Sequence, residues 1–277
     1  MSAGLLALVW GLVHGNALGW ESARIVASLA AGAALLAGFV AWELRARAPM
    51  VPMRFFGRRD FAVANAASLL ANFGMFGSIF LLSQFFQTAQ GLSPLDAGLR
   101  VLPWTLMPMI VAPVAGALSD RIGGRQLMAA GLALQAAGLA WSAAVTAPDA
   151  AYATLIVPFA VTGIGMGMFF APLASTVLGS VRPADEGKAS GVNNAVREVG
   201  GLLGVAVLAS IFAGAGGYAT PEAFVDGLVP ATWAGAAVVG AGAVVTLVLP
   251  RRRTALTAPG PLPSADARAR PRAASAS

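Results

Sequence analysis

Cysteine is absent from all 277 residues. Its absence excludes a disulfide framework, a thiolate zinc site and a thiol nucleophile. A lone histidine, His14, excludes a multi-histidine metal site. Charge is scarce: Asp, Glu, Lys and Arg make up 11% of the chain, where a soluble domain carries about 25%. No paired carboxylates, no nucleophile beside a base and no strand leading into a phosphate-binding loop can be found. An enzyme is therefore not expected, nor a bound metal or cofactor. Met1 runs straight into apolar sequence without a basic leader, so a cleavable signal is not expected either.

Apolar residues fill the space that charge leaves. They form 57% of the chain, and the mean hydropathy is +0.75. The lipid bilayer is thus the expected solvent, and the fold class an all-α membrane protein. Measured against the ~20 residues a helix needs to cross a bilayer, the apolar runs give eight transmembrane helices, near 3–18, 24–43, 61–86, 97–118, 126–146, 151–178, 189–213 and 228–249. The first is short, as if its opening turns were cut away. The net charge is +6, but the basic residues sit in gaps between apolar runs rather than along one surface, which excludes nucleic acid as a partner.

Those gaps set the orientation. Lys and Arg concentrate in 44–60, 119–125, 179–188 and the tail after 250, while the alternate gaps are poor in them. The positive-inside rule then puts both termini in the cytoplasm of a multi-pass protein of the cell (inner or plasma) membrane, which requires an even number of spans. Residues 1–43 read as a two-helix unit, 44–60 as a cytoplasmic linker with Pro49 and Pro52, and 61–250 as a six-helix bundle. Residues 251–277 are Ala, Pro, Arg and Ser with little that is large and apolar, and read as a disordered cytoplasmic tail.

Polar side chains at membrane depth face either a cavity or another helix. Helical spacing places Asn65, Ser68 and Asn72 on one face of span three, with Gln84 and Gln87 repeating it near the outer end. Gly131, Gln135, Gly138 and Ser142 share a face of span five. Ser190, Asn193, Asn194, Arg197, Gly201 and Gly204 share one in span seven. The glycines and serines fit close helix packing; Asn72, Gln84, Gln87, Gln135, Asn193 and Asn194 fit either helix-to-helix bonding or a common polar path. Arg197, two to three turns into span seven, needs a partner or water, and serves either gating or a snorkel to the headgroups. Glu198, about 100° away around the helix, is not that partner. Pro103, Pro108 and Pro113 in span four, and Pro158 and Pro172 in span six, each remove a backbone bond. Gly163-x-Gly165-x-Gly167 follows no strand, so it reads as a flexible or closely packed helix segment. His14 reads as an interfacial polar residue. Glu198 and His14 are the only titratable groups these eight runs place at depth.

Between spans four and five lies Gly116-Ala-Leu-Ser-Asp120-Arg121-Ile-Gly123-Gly124-Arg125-Gln126. A helix must stop here, turn on Gly123 and Gly124, and restart. Asp120 is placed to face the free amides of the restarting helix, and Arg121 and Arg125 either to meet the carbonyl end of the arriving one or to keep the loop in the basic cytoplasmic compartment.

Gly116-x-x-x-Asp120-Arg121-x-Gly123-x-Arg125 resembles the loop signature of the major facilitator superfamily, where it joins the second and third helices of a six-helix half. Gly11-Leu-Val-His-Gly-Asn-Ala-Leu-Gly19-Trp20, Pro49-Met-Val-Pro52-Met-Arg-Phe-Phe, Gln87-x-x-x-Gly91-Leu-Ser93-Pro94-Leu-Asp-Ala97-Gly98 and Gly187-Lys-Ala-Ser190-Gly191-Val-Asn193-Asn194-x-x-Arg197-Glu-x-Gly200-Gly201 resemble the EmrB/QacA-type branch of fourteen-span drug–proton antiporters. The resemblance covers about 3–250. It implies two linker helices followed by one six-helix half with a 3+3 repeat. Gly116, Asp120, Arg121, Gly123 and Arg125 would form its cytoplasmic gate loop. Gln126 stands where a second basic residue is common. The implied function is proton-coupled export of small, amphipathic compounds, with the proton gradient as energy source. The half that carries the family's antiporter signature and buried acid has no counterpart here. The chain is accordingly expected to need a separate first half or self-association, or else to be a truncated fragment without transport of its own.

Because the chain has no native cysteine, one introduced at Arg121 gives a background-free sidedness test. A membrane-impermeant maleimide should label it in inside-out vesicles and not in intact cells.

Overall fold

The computed structural model describes residues 1–47 and 49–249. The tail expected to be disordered, 251–277, lies outside them. Among the described residues there are helices and no strands, in the order α1 (Ser2–Leu18), α2 (Ala23–Arg45), α3 (Arg59–Gln84), α4 (Pro94–Ile122), α5 (Gly124–Val145), α6 (Tyr152–Leu178), α7 (Glu186–Ala215) and α8 (Pro221–Thr246). In hydrocarbon a backbone amide finds no water, so an isolated span must bond within itself. Local chemistry sets the starts. Ser22, Ser93 and Thr220 accept hydrogen bonds from the amides of Ile25, Asp96 and Ala223, and Pro94 and Pro221 occupy first-turn positions that need no N–H donor.

Seven of the helices are long and apolar enough to cross a bilayer; α1 is an apolar helix of 17 residues. At 1.5 Å per residue it reaches about 25 Å, short of the ~30 Å hydrocarbon core. The count of eight therefore holds for apolar helices but not by length. Several bounds differ from the expected spans. Helices α4, α7 and α8 begin three to seven residues earlier than the apolar runs; for α4 and α8, Ser93 and Thr220 cap the helix in polar sequence ahead of its apolar stripe. Glu43 already lay inside the run 24–43, and the earlier start of α8 adds Glu222 and Asp226, so Glu198 and His14 are not the only titratable groups in these helices.

The helices pack as a folded row. Helix α6 lies against α4 and α5; α5 against α8; α8 against α3; α3 against α7; and α7 against α1, which pairs with α2. Exchanging α3 with α6, α4 with α7 and α5 with α8 maps these pairings within α3–α8 onto themselves. The connection at 44–60 is built into the bundle. Phe55 is only 4% exposed and belongs to the hydrophobic core, its ring edge-on to Phe61. Buried Glu43 accepts the Val51 amide at 3.1 Å.

The Gly163-x-Gly165-x-Gly167 segment is closely packed. A Cβ on Gly163 would run into the Trp104 carbonyl of α4, and one on Gly167 into Pro108 and Val111 of the same helix. A Cβ on Gly165 would run into the Gln135 amide and the Gly131 carbonyl of α5. Alternate glycines thus wedge α6 between two neighbours. Gly165→Ala should destabilise the folded protein by ~1–3 kcal/mol, read as a lower thermal midpoint in detergent. Gly116→Ala is the control: an added Cβ there meets nothing within 4 Å, and the helix gains up to ~1 kcal/mol of propensity.

Candidate functional site

The polar face of α3 is fully inside. Asn65, Ser68 and Asn72 are at most 1% exposed. The amides of Asn65 and Asn72 donate back to the carbonyls of Phe61 and Ser68, one turn earlier in the same helix. Asn193 of α7 donates to the Asn65 side-chain oxygen at 3.1 Å, joining two of the expected faces. Asn194 points outward. On α5, Gly131, Gln135, Gly138 and Ser142 are all buried. Ser142 bonds to the Gly138 carbonyl, whereas both amide atoms of Gln135 lack a protein partner. The Asn72 side-chain oxygen, the Ser68 and Ser78 hydroxyls, the Trp104 indole nitrogen and the Arg197 Nε share that condition. An unpaired amide in a dry interior costs about 1–3 kcal/mol, so these are the groups in the bundle most in need of a polar visitor.

Gln84 and Gln87 do not continue the α3 face. Gln84 is half-buried, and Gln87 is exposed and donates to Ser83. The backbone opens into a π turn over Phe85–Ala89, closed by the Gln90 amide on the Phe85 carbonyl at 3.1 Å. A wider turn resets the angular phase, and no simple three-or-four spacing anticipates it. Just beyond, Arg100 donates to Gln90 at 2.8 Å and lies over the rings of Phe86 and Tyr152. Gln90 in turn donates to the Ala150 carbonyl. This tie between α4, the π turn and the start of α6 was not anticipated from sequence.

Arg197 is half-buried, and its guanidinium sits 4.7 Å from the centroid of the Phe170 ring of α6. A desolvated cation over an aromatic face is worth ~2 kcal/mol. The partner is on another helix, as the spacing of Glu198 required. Glu198 itself is exposed beside a cleft of about 250 Å³ between α1, α3 and α7, lined by Val9, Val13, Phe76 and Leu202. His14 stacks on Trp10 and bonds to the Trp10 carbonyl, one turn away in α1. Asn16 of α1 donates to the Ser210 carbonyl of α7 at 2.6 Å, and Trp20 donates to Asn16. The sequence showed Asn16 within a motif but gave no sign of what it holds.

The charged stretch between α4 and α5 is tighter than a loop. Helix α4 runs to Ile122 and α5 starts at Gly124, so Gly123 alone makes the break. Its φ of 91° is open to glycine and strained for other residues. Gly124, expected to share the turn, is the first helical residue, beside Pro172 and Thr176 of α6. Asp120 and Arg121 are exposed, Gly116 and Arg125 half-buried. Among the described residues, Asp120, Arg121 and Arg125 form no ion pair, and the Asp120 carboxylate takes no bond from the α5 amides.

Residues 64–276 match the Major Facilitator Superfamily. The chain is 36% identical over 213 residues to the cephamycin export protein CmcT of Amycolatopsis lactamdurans, covering 76% of this chain and 44% of that protein. It is 32% identical over 207 residues to the multidrug resistance protein Stp of Mycobacterium tuberculosis, covering 75% and 38%. It is 29% identical over 230 residues to the tetracenomycin C resistance and export protein of Streptomyces glaucescens, covering 83% and 43%. The chain spans less than half the length of these relatives. With most of its length matched and its fold an array of apolar helices, the chain is a multi-pass membrane protein that belongs to the Major Facilitator Superfamily.

Proposed function

We propose that this chain forms one six-helix bundle of a drug exporter of the EmrB/QacA type, with α1 and α2 as the two linker helices ahead of it. The observation that carries the reading is the match to proteins named for antibiotic export and resistance. The pairing pattern of α3–α8, unchanged when α3–α5 and α6–α8 are exchanged, supports a 3+3 repeat. A second bundle, in the same polypeptide or in another chain, supplies the opposite wall of the path and the proton-binding acid.

In this reading Asn72 and Gln135 offer unpaired amide groups to small amphipathic compounds moving along the bundle. Asn193, Asn194, Gln84 and Gln87 line or border the same route. Arg197, held by Phe170, belongs to the gating apparatus on α7. Gly116, Asp120, Arg121, Gly123 and Arg125 form the cytoplasmic gate; their charges form no ion pair among the described residues and meet the second bundle. Both termini lie in the cytoplasm of the cell membrane, and the proton gradient drives export.

The test is efflux of a cationic dye from cells expressing the chain alone and then with a six-helix first bundle of the same branch. Proton-gradient-dependent efflux with the pair is the expected result; none in either case overturns the proposal. In the active pair, Arg197→Leu should preserve membrane insertion and cut efflux by roughly tenfold or more, matching the loss of a ~1.4–2 kcal/mol contact. Asp120→Asn should likewise lower efflux at unchanged protein level.

A further inference from the structure

Arginines from two distant parts of the chain meet at one end of the bundle. Arg54 comes from the turn of 3₁₀ helix at Met53–Phe55 that leads into α3. Arg182 comes from the connection between α6 and α7. Both bind Asp185: Arg54 at 3.3 Å to each carboxylate oxygen, Arg182 through Nε at 3.1 Å and Nη2 at 2.9 Å to one of them. The Asp185 side chain is 11% exposed while those of Arg54 and Arg182 are 62% and 69% exposed. The carboxylate is therefore an internal strut, and the guanidinium groups keep free N–H donors facing outward.

These three residues, with Arg58, Phe55 and Val181, line a pocket of about 180 Å³. Three guanidinium groups stand against one carboxylate that is already doubly engaged, and Lys188 adds its field from the first turn of α7. Holding three like charges around one small volume is unfavourable unless an anion joins them. Guanidinium forks match phosphate oxygens in geometry and number. The volume is below the ~300 Å³ at which pockets for drug-sized ligands begin, so a whole nucleotide or drug is excluded, and a single phosphate group is the right scale. One flank is apolar: Phe55 is 4% exposed, and Arg54 lies over its ring at 5.6 Å. The pocket sits where the polar connections meet the ends of apolar helices, the depth at which lipid headgroups lie.

We infer that the Arg54–Arg58–Arg182 pocket binds a phosphate ester, presented by the headgroup of an anionic phospholipid whose glyceryl end rests on Phe55 and Val181. This rests on the membrane reading above but not on transport or on a second bundle. The bound phosphate stitches the segment before α3 to the α6–α7 connection, a junction otherwise bridged there by the Arg54–Asp185 pair.

The full chain, reconstituted in nanodiscs of phosphatidylcholine with and without phosphatidylglycerol, provides the test. Native mass spectrometry after release should show a retained phosphatidylglycerol and no retained phosphatidylcholine. Arg58→Gln leaves both ion pairs to Asp185 intact and should weaken retention roughly tenfold, the loss expected for one charge-assisted hydrogen bond. Arg58→Gln combined with Arg182→Gln should abolish it. Arg45→Gln, at the end of α2, should leave retention unchanged. Inorganic phosphate is the competing probe: failure to displace the lipid at millimolar concentration supports the headgroup as source, while displacement together with direct phosphate binding lost in Arg58→Gln supports a phosphate site filled from solution. Equal retention by wild type and both pocket variants, or equal loss in Arg45→Gln, overturns the site. Neither result bears on dye efflux, so failure here and failure of the transport reading are separable.

Discussion

Helices in hydrocarbon gain nothing by hiding leucine from leucine, because the surrounding lipid is equally apolar. What remains to hold them is close contact, and close contact needs small residues where backbones meet. Helix α6 obtains it on two sides at once, through three alternating glycines that admit α4 on one flank and α5 on the other. That arrangement positions the rest. Helix α5 reaches α8, α8 reaches α3, and the polar faces of α3 and α5 are shut inside as a result. The unpaired amide of Gln135 is a product of the same contact, since it lies where the α5 and α6 backbones come nearest.

Two cationic groups beside the apolar helices follow a different logic, finding an aromatic face or an amide rather than an acid. Arg100 uses Phe86, Tyr152 and Gln90, and Arg197 uses Phe170. Aromatic faces hold a cation without introducing a second charge that also needs solvation. The exception is Asp185, which holds two arginines, at the end of the bundle where solvent is near. Charge is thus arranged by depth: aromatic partners beside the apolar helices, ion pairs at the rim.

Much of this was legible in the chain. Apolar run length gave the helices and where the connections between them fall. The three-and-four spacing of Asn65, Ser68 and Asn72 gave a buried face correctly, because α-helical phase is constant over those turns. It failed at Gln87, where a π turn changes the phase and leaves no mark in composition. Glycine spacing in 163–167 showed that something came close, but not what, since contact partners as distant in sequence as Trp104 and Gln135 have no local signature. The grouping of Arg182, Asp185 and Arg54 was not read at all, since Arg54 lies more than a hundred residues before the other two. The charged stretch at 116–126 was legible as a break, while its reduction to one glycine depended on how far α4 could extend through polar residues.

The hairpin of α1 and α2 is fastened to the bundle along α7, with Asn16 gripping the Ser210 backbone and α2 held mainly by α1. Its other mooring is at the far end of α2, where Glu43 holds the Val51 amide of a segment packed into the core. The hairpin is thus an outrigger tied at both ends, to α7 and to the segment that leads into α3, and a tilt of α7 loads that segment through it.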